Sequence, residues 1–142
     1  MKALTSIAIF LVLIVSCDWS RPYIQRDYEY RIGRKLVALN DQHLIEYETG
    51  RKIDGVGRKR DANNRKLYYT GIRDSTIHFT WLEYDVSETA VERTINKVFL
   101  TFALSTFPFT IRAKGFLITI HDADHHQITY TIVSANPLDL TN

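Results

Sequence analysis

The residues best suited to metal chemistry fall in one short segment near the C-terminal end of the chain. Imidazole nitrogens and carboxylate oxygens are ligands for Zn²⁺ and Cu²⁺, and the two sides of a hairpin can bring such side chains together. The candidate metal ligands are His121, Asp124, His125 and His126. The segment is also rich in turn-forming residues, so a hairpin turn without metal is the simpler interpretation, and we predict no cofactor.

The most basic segment of the chain, residues 49–66, indicates a second kind of chemistry, the binding of anions. It holds seven basic residues against Asp54 and Asp61, and its glycines, asparagines and few apolar residues predict a long surface loop. Near an anionic bilayer each exposed cation contributes ~1 kcal/mol, whereas a solvated loop without a ligand is the alternative. The candidate binding residues are Arg51, Lys52, Arg58, Lys59, Arg60, Arg65 and Lys66.

Serines and histidines occur throughout the chain, but no motif fixes a nucleophile, a base and an orienting acid in one geometry. Gly55-Val56-Gly57 lacks the longer glycine pattern of a phosphate-binding loop. We therefore predict no catalytic residues. A metal-dependent or hydrolytic periplasmic enzyme that uses the histidine-rich hairpin is the alternative to a binding protein.

The first seventeen residues, MKALTSIAIFLVLIVSC, have the layout of a secretory signal peptide: a basic start, an apolar run and a small residue before Cys17. As a helix the apolar run would extend only about 20 Å, against a hydrocarbon core of roughly 30 Å. Cys17 is the only cysteine, so no internal disulfide can form. A lone thiol in an oxidising compartment calls for another role.

Ile14-Val15-Ser16-Cys17 resembles the lipobox of bacterial lipoproteins, although Ile14 stands where leucine is commonest. The resemblance implies cleavage before Cys17 and attachment of acyl chains, palmitate among them, to that residue. At about 0.8 kcal/mol per buried methylene, several chains would hold the protein at a membrane. An ordinary signal peptide cleaved nearby is the alternative.

We expect three parts in the chain: residues 1–16 as a lipoprotein-type signal peptide, 17–26 as the modified cysteine and a tether, and 27–142 as a single β-rich domain. This length is enough for one hydrophobic core. Loss of Lys2 from the 18 basic residues leaves 17 against 16 acidic ones. Because the numbers of basic and acidic residues are nearly equal, we do not expect a dedicated nucleic-acid-binding protein.

Alternating apolar residues predict strands over most of the domain. The clearest runs are residues 67–72, 76–85, 95–107, 116–121 and 128–133, of which the last two should pair as a hairpin. Residues 86–94 are the one plausible helix, and changes of apolar parity predict a bulge near Trp81-Leu82 and a bulge or bend at Gly115. The pattern favours a mainly β fold, an antiparallel β-sandwich or small barrel of about seven to eight strands, preceded by the signal helix.

Residues 69–133 also resemble a β-domain of bacterial envelope proteins that have no assigned activity. The likeness rests on Trp81-Leu82-Glu83-Tyr84 and on a strand with Lys114-Gly115 that leads to the closing hairpin. With the lipobox, it implies a lipid-anchored protein of the bacterial cell envelope that faces the periplasm or the exterior. We therefore expect a non-catalytic binding or structural module, with the membrane as its partner and an anionic lipid or an envelope protein as candidate ligands.

Overall fold

The structure, a computed structural model, describes residues 20–53, 58–86 and 92–136. Nine strands form within these ranges, with one 3-10 turn at Glu29–Arg31. The strands are β1 (Ser20–Arg26), β2 (Lys35–Leu39), β3 (His43–Ile53), β4 (Lys59–Arg73), β5 (Thr76–Asp85), β6 (Arg93–Ala103), β7 (Phe109–Ala113), β8 (Phe116–Ala123) and β9 (Gln127–Ala135). The mainly β prediction is confirmed, with more strands than the seven or eight expected.

The strands form two antiparallel sheets. The five-stranded sheet has the order β1-β3-β4-β5-β6, and the four-stranded sheet has the order β2-β9-β8-β7. Two separate sheets that bury one face each are a β-sandwich, so the sandwich alternative is the one observed. The predicted hairpin of residues 116–121 and 128–133 is confirmed as β8 and β9.

The core lies between the two sheets and is rich in aromatic residues. Tyr47 and Phe116, from opposite sheets, lie 6.2 Å apart between ring centroids, and Tyr47 also contacts Trp81 at 5.9 Å. Ile77, Phe79 and Trp81 are all buried, as their alternation along β5 predicts. Such rings bury large apolar areas, and their tilted and edge contacts add to the stability of the sandwich.

Two hairpins close through two-residue turns whose central residues have positive φ, a conformation that matches the twist of paired strands. Asp74 and Ser75, with φ of 46° and 60°, join β4 to β5. Lys114 and Gly115, with φ of 49° and 82°, join β7 to β8. Of the bulge or bend predicted at Gly115, the structure has a tight turn and not a bulge: Ala113 pairs directly with Phe116 across it, which puts both on one face despite their odd spacing.

Two other local predictions need correction or lie outside the described residues. The irregularity predicted near Trp81-Leu82 lies slightly further along, where Glu83 pairs with Asn96 and Tyr84 with Thr94, so the extra residue, Ile95, is on β6. Most of the predicted helix at 86–94 falls among residues that the structure does not describe, as do the predicted signal peptide and Cys17. The last two residues of that segment begin β6.

The tether predicted up to residue 26 is instead mostly strand. β1 pairs along its whole length with β3, from Ser20 opposite Ile53 to Arg26 opposite Tyr47. β1 contains Pro22, which an edge strand tolerates because one side of it has no partner.

The long loop predicted over residues 49–66 is also wrong. Its described residues belong to β3 and β4, which pair out to Lys52 opposite Lys59. From Thr49 to Ile53 no residue of β3 is buried, and neither is any residue from Lys59 to Asp61. We call this extension beyond the core the arm and define it as residues 20–24, 49–53 and 58–63.

Candidate anionic-surface binding site

The three strands of the arm pack closely against one another. Gly50 faces a β-bulge where Asp61, with φ of 50°, adds an extra residue to β4. A side chain at Gly50 would lie 2.9 Å from the Cα atom of Ala62 and 3.1 Å from the ring of Tyr23. Only glycine allows β1, β3 and β4 to approach this closely.

Strand register brings cations directly opposite one another on the arm. Arg21 of β1 pairs with Lys52 of β3, and Lys52 pairs with Lys59 of β4, so three cations form one row across three strands. In the adjacent row Arg51 pairs with Arg60. Directly opposed side chains lie about 5 Å apart, and like charges at that separation destabilise a sheet.

The two rows present positive charge on both faces of the arm, because successive residues of a strand point to opposite sides. Lys52 and Lys59 share the face that carries Tyr23, whereas Arg51 and Arg60 share the other. Arg58 is exposed beside them, and the backbone N–H of Ile53 donates to its carbonyl oxygen at 2.9 Å. The arm therefore offers cations to an anionic surface from either side.

Cations on both faces have local contacts. Arg51 donates to the carbonyl oxygen of Ser20 at 3.4 Å, and Arg60 lies 3.6 Å from Asp61. Lys59 forms an ion pair of 2.8 Å with Glu48, which also accepts a hydrogen bond of 2.5 Å from the Tyr23 hydroxyl. Burial and that bond to the carboxylate raise the pKa of Tyr23, so the phenol stays protonated at neutral pH. The Lys52 ammonium lies 5.1 Å from the centre of the Tyr23 ring.

The remaining predicted anion-binding residues are Arg65 and Lys66. Both lie on β4, outside the arm and closer to the core. Arg65 donates to the Thr49 hydroxyl at 3.0 Å and lies 3.7 Å from Glu83. Lys66 lies 2.9 Å from Glu92, and its side chain is only 13% exposed. The structure therefore brings five of the seven predicted residues together and holds these two in internal contacts about 20 Å from the tip, at ~3.3 Å per residue.

Arg21 belongs with the arm but was missed by sequence reasoning. Its segment reads as a tether, with Pro22 and mixed polarity, and only the pairing with β3 places it beside Lys52. A basic residue shortly after the predicted lipidation site, Cys17, was the one available signal.

A polar network on the outer face of the five-stranded sheet was also not predicted. Glu46 accepts a hydrogen bond of 2.7 Å from Asn64 and lies 3.0 Å from the His43 imidazole. Burial alone would raise the pKa of Glu46, but Asn64, His43 and Lys66 together lower it below its ordinary value. A carboxylate held ionised in this way is a weak base, so the network serves structure better than proton transfer.

The histidine-rich turn does not assemble a metal site. Asp124 accepts backbone N–H bonds from His126 at 2.7 Å and Gln127 at 2.9 Å, and these two bonds lower the pKa of Asp124. His121 instead lies 2.8 Å from the Thr131 hydroxyl, and His125 and His126 are exposed. Within the described ranges no three histidine, cysteine or acidic side chains are grouped to hold a metal ion.

A shallow groove of about 560 Å³ lies beside β2, between Tyr30, Arg34, His43 and Tyr130. Its most enclosed cation, Arg31, donates to the carbonyl oxygens of His43 and Leu44 at 3.4 Å. These bonds tie the guanidinium to the β3 backbone. The groove is therefore a weaker candidate for anion binding than the arm.

In residues 20–53, 58–86 and 92–136 no helix is long and apolar enough to cross a membrane. Comparisons with protein-family models, with curated proteins and with solved structures found no match to the chain.

Proposed function

We propose that this protein is a lipid-anchored protein of the bacterial cell envelope, held through acyl chains on Cys17, and that its arm binds phosphate-bearing headgroups at the membrane surface without catalysis. One observation carries the proposal. The row of Arg21, Lys52 and Lys59 opposes like charges across three strands. Like charges directly opposite one another destabilise a sheet. The ion pair of Lys59 with Glu48 offsets part of that cost, and an anionic surface would neutralise the remainder.

The position of β1 supports the link between anchor and arm. Ser20, the first residue of β1, pairs with Ile53 at the tip of the arm. Ser20 lies three positions after Cys17, and three residues of chain span at most about 11 Å. An anchor at Cys17 would therefore keep the cation row, one residue further along β1, next to the bilayer.

The charge of the chain as a whole does not explain such binding, so the effect should be local to the arm. With 17 basic and 16 acidic residues after residue 16, the rest of the domain offers little net attraction. Each cation near an anionic surface contributes ~1 kcal/mol. Loss of three arm cations should thus weaken binding on the order of 100-fold, whereas loss of three cations elsewhere should have little effect.

Vesicle sedimentation tests this directly. The purified protein is mixed with phosphatidylcholine vesicles with and without phosphatidylglycerol, and compared with a triple variant, Lys52→Gln, Arg58→Gln and Arg60→Gln. These positions leave the Lys59 to Glu48 ion pair intact. A matched control replaces three exposed cations outside the arm. These are Arg34, Lys35 and Arg73.

We expect binding only to the anionic vesicles, loss of binding with salt, and a large loss in the arm variant alone. Equal binding by the two triple variants would overturn the role of the arm. The anchor is tested separately by the mass of the mature N-terminus and by detergent partitioning. A mature chain that retains an unmodified Cys17 would overturn the lipid anchor without bearing on the arm.

A further inference from the structure

Within the described ranges the sandwich has four edge strands, and they differ in how well they are protected from pairing with another chain. Short length, proline and charged residues are the usual protections. β2 and β7 have five residues each, and β1 carries Pro22 between two arginines. β6 has eleven residues, no proline, and nothing among the described residues paired to its outer edge.

β6 is also unusually apolar for an exposed edge. Phe99 is 72% exposed and Ile95 is 49% exposed, although both lie on the last strand of a sheet. Val98, Leu100 and Phe102 point to the core side and are only partly buried there. From Asn96 to Ala103 the pairing with β5 is regular, so this edge is flat and suited to accept another strand.

We propose that β6 pairs antiparallel with β6 of a second copy, about a two-fold axis at Phe99, to give a continuous ten-stranded sheet. This register places the two exposed Phe99 rings against each other. It also places Lys97 opposite Thr101 and Val98 opposite Leu100 of the second copy, so no like charges oppose. An axis at Lys97 would set two ammonium groups face to face, and one at Ile95 would oppose Arg93 to Lys97.

The charges of β6 favour a second copy over an unrelated strand. Both cations, Arg93 and Lys97, lie in the first half of the strand, and the second half is uncharged. Antiparallel pairing brings each charged half against an uncharged half, which is self-complementary as a two-fold interface requires. The central residue is opposite itself, with Cα atoms about 4.5–5.5 Å apart.

Disulfide trapping tests the register. In a Cys17→Ser background, which removes the only native thiol, single Phe99→Cys, Lys97→Cys and Thr101→Cys variants are oxidised. Only Phe99→Cys should cross-link with itself, because a disulfide needs Cα atoms within about 7 Å and the others lie about 13 Å from their own counterparts. Lys97→Cys and Thr101→Cys should cross-link when mixed. Cross-linking that is equal at all three positions, or absent, would overturn the proposal.

Sedimentation velocity tests pairing without engineered cysteines and without oxidation. We expect a monomer that converts to a dimer as concentration rises, with the dimer lost in Phe99→Lys and kept in Val37→Lys, a control exposed to 58% on the other sheet. A monomer at every concentration, or a dimer in Phe99→Lys, would overturn the proposal. Because neither measurement uses a membrane, failure here leaves the proposed function of the arm unaffected.

Discussion

Replacing Lys52, the central residue of the row of Arg21, Lys52 and Lys59, should have opposite effects on the stability of the fold and on binding to anionic vesicles. This side chain lies between Arg21 and Lys59, so Lys52→Thr removes two like-charge contacts at once. Each such contact costs roughly 0.2–1 kcal/mol, while the lost cation–π contact with Tyr23 contributes about 0.5–1 kcal/mol at an exposed site. We therefore expect Lys52→Thr to raise the free energy of unfolding by about 0.5 kcal/mol at low salt.

Screening and binding give this prediction two further readouts. At 1 M salt the Debye length is about 3 Å, shorter than the spacing between opposed side chains, so the gain from Lys52→Thr should disappear. The same change should weaken binding to anionic vesicles by about fivefold, the effect of ~1 kcal/mol. Urea unfolding at two salt concentrations and vesicle sedimentation measure both quantities.

Lys66→Thr is the matched control, since it is the same substitution on the same pair of strands. Lys66 lies 2.9 Å from Glu92 and 3.6 Å from Glu46, so its loss should lower the free energy of unfolding by about 1 kcal/mol or more. Vesicle binding should not change. If Lys52→Thr destabilises the protein as Lys66→Thr does, or leaves vesicle affinity unaltered, the reasoning about the cation row is refuted.

Three further predictions concern other parts of the sandwich. Burial lowers the pKa of His43, so stability should decline as pH falls below about 6.5, and His43→Gln should reduce that decline in urea titrations between pH 7.5 and 5. Gly50→Ala should cost about 1–3 kcal/mol through its clash with Ala62, and an unchanged melting temperature would contradict that close approach. Pairing about Phe99 directs two arms to opposite ends, so the protein should cluster anionic vesicles and raise turbidity, whereas Phe99→Lys should bind them without clustering.

Where a strand covers the core, the sequence was sufficient to predict it. Ile77, Phe79 and Trp81 alternate with polar residues, and β5 has the predicted bounds of Thr76–Asp85. The β8–β9 hairpin was predicted for the same reason. When one face of a strand is buried, apolar and polar residues alternate along it, and that alternation can be recognised in a single sequence.

Where a strand extends past the core, that signal is missing. Residues 59–66 read KRDANNRK, and Ala62 is the one apolar residue among them, so nothing in the segment indicates a strand. Its structure comes from backbone pairing with β3 and β5, which depends on partners distant in sequence. The segment's charge was read correctly, but its conformation could not be.

The same register also separates two kinds of cation that look alike in the sequence. Arg65 and Lys66 have carboxylates facing them, whereas Lys52 faces cations on both sides. If these charges served only solubility, opposed pairs of one sign would be a needless cost, because staggered or mixed charges solubilise as well. The proposed binding of an anionic surface would explain a row that costs stability in the free protein, and the arm carries that row beside Ser20, three positions after Cys17 in the sequence.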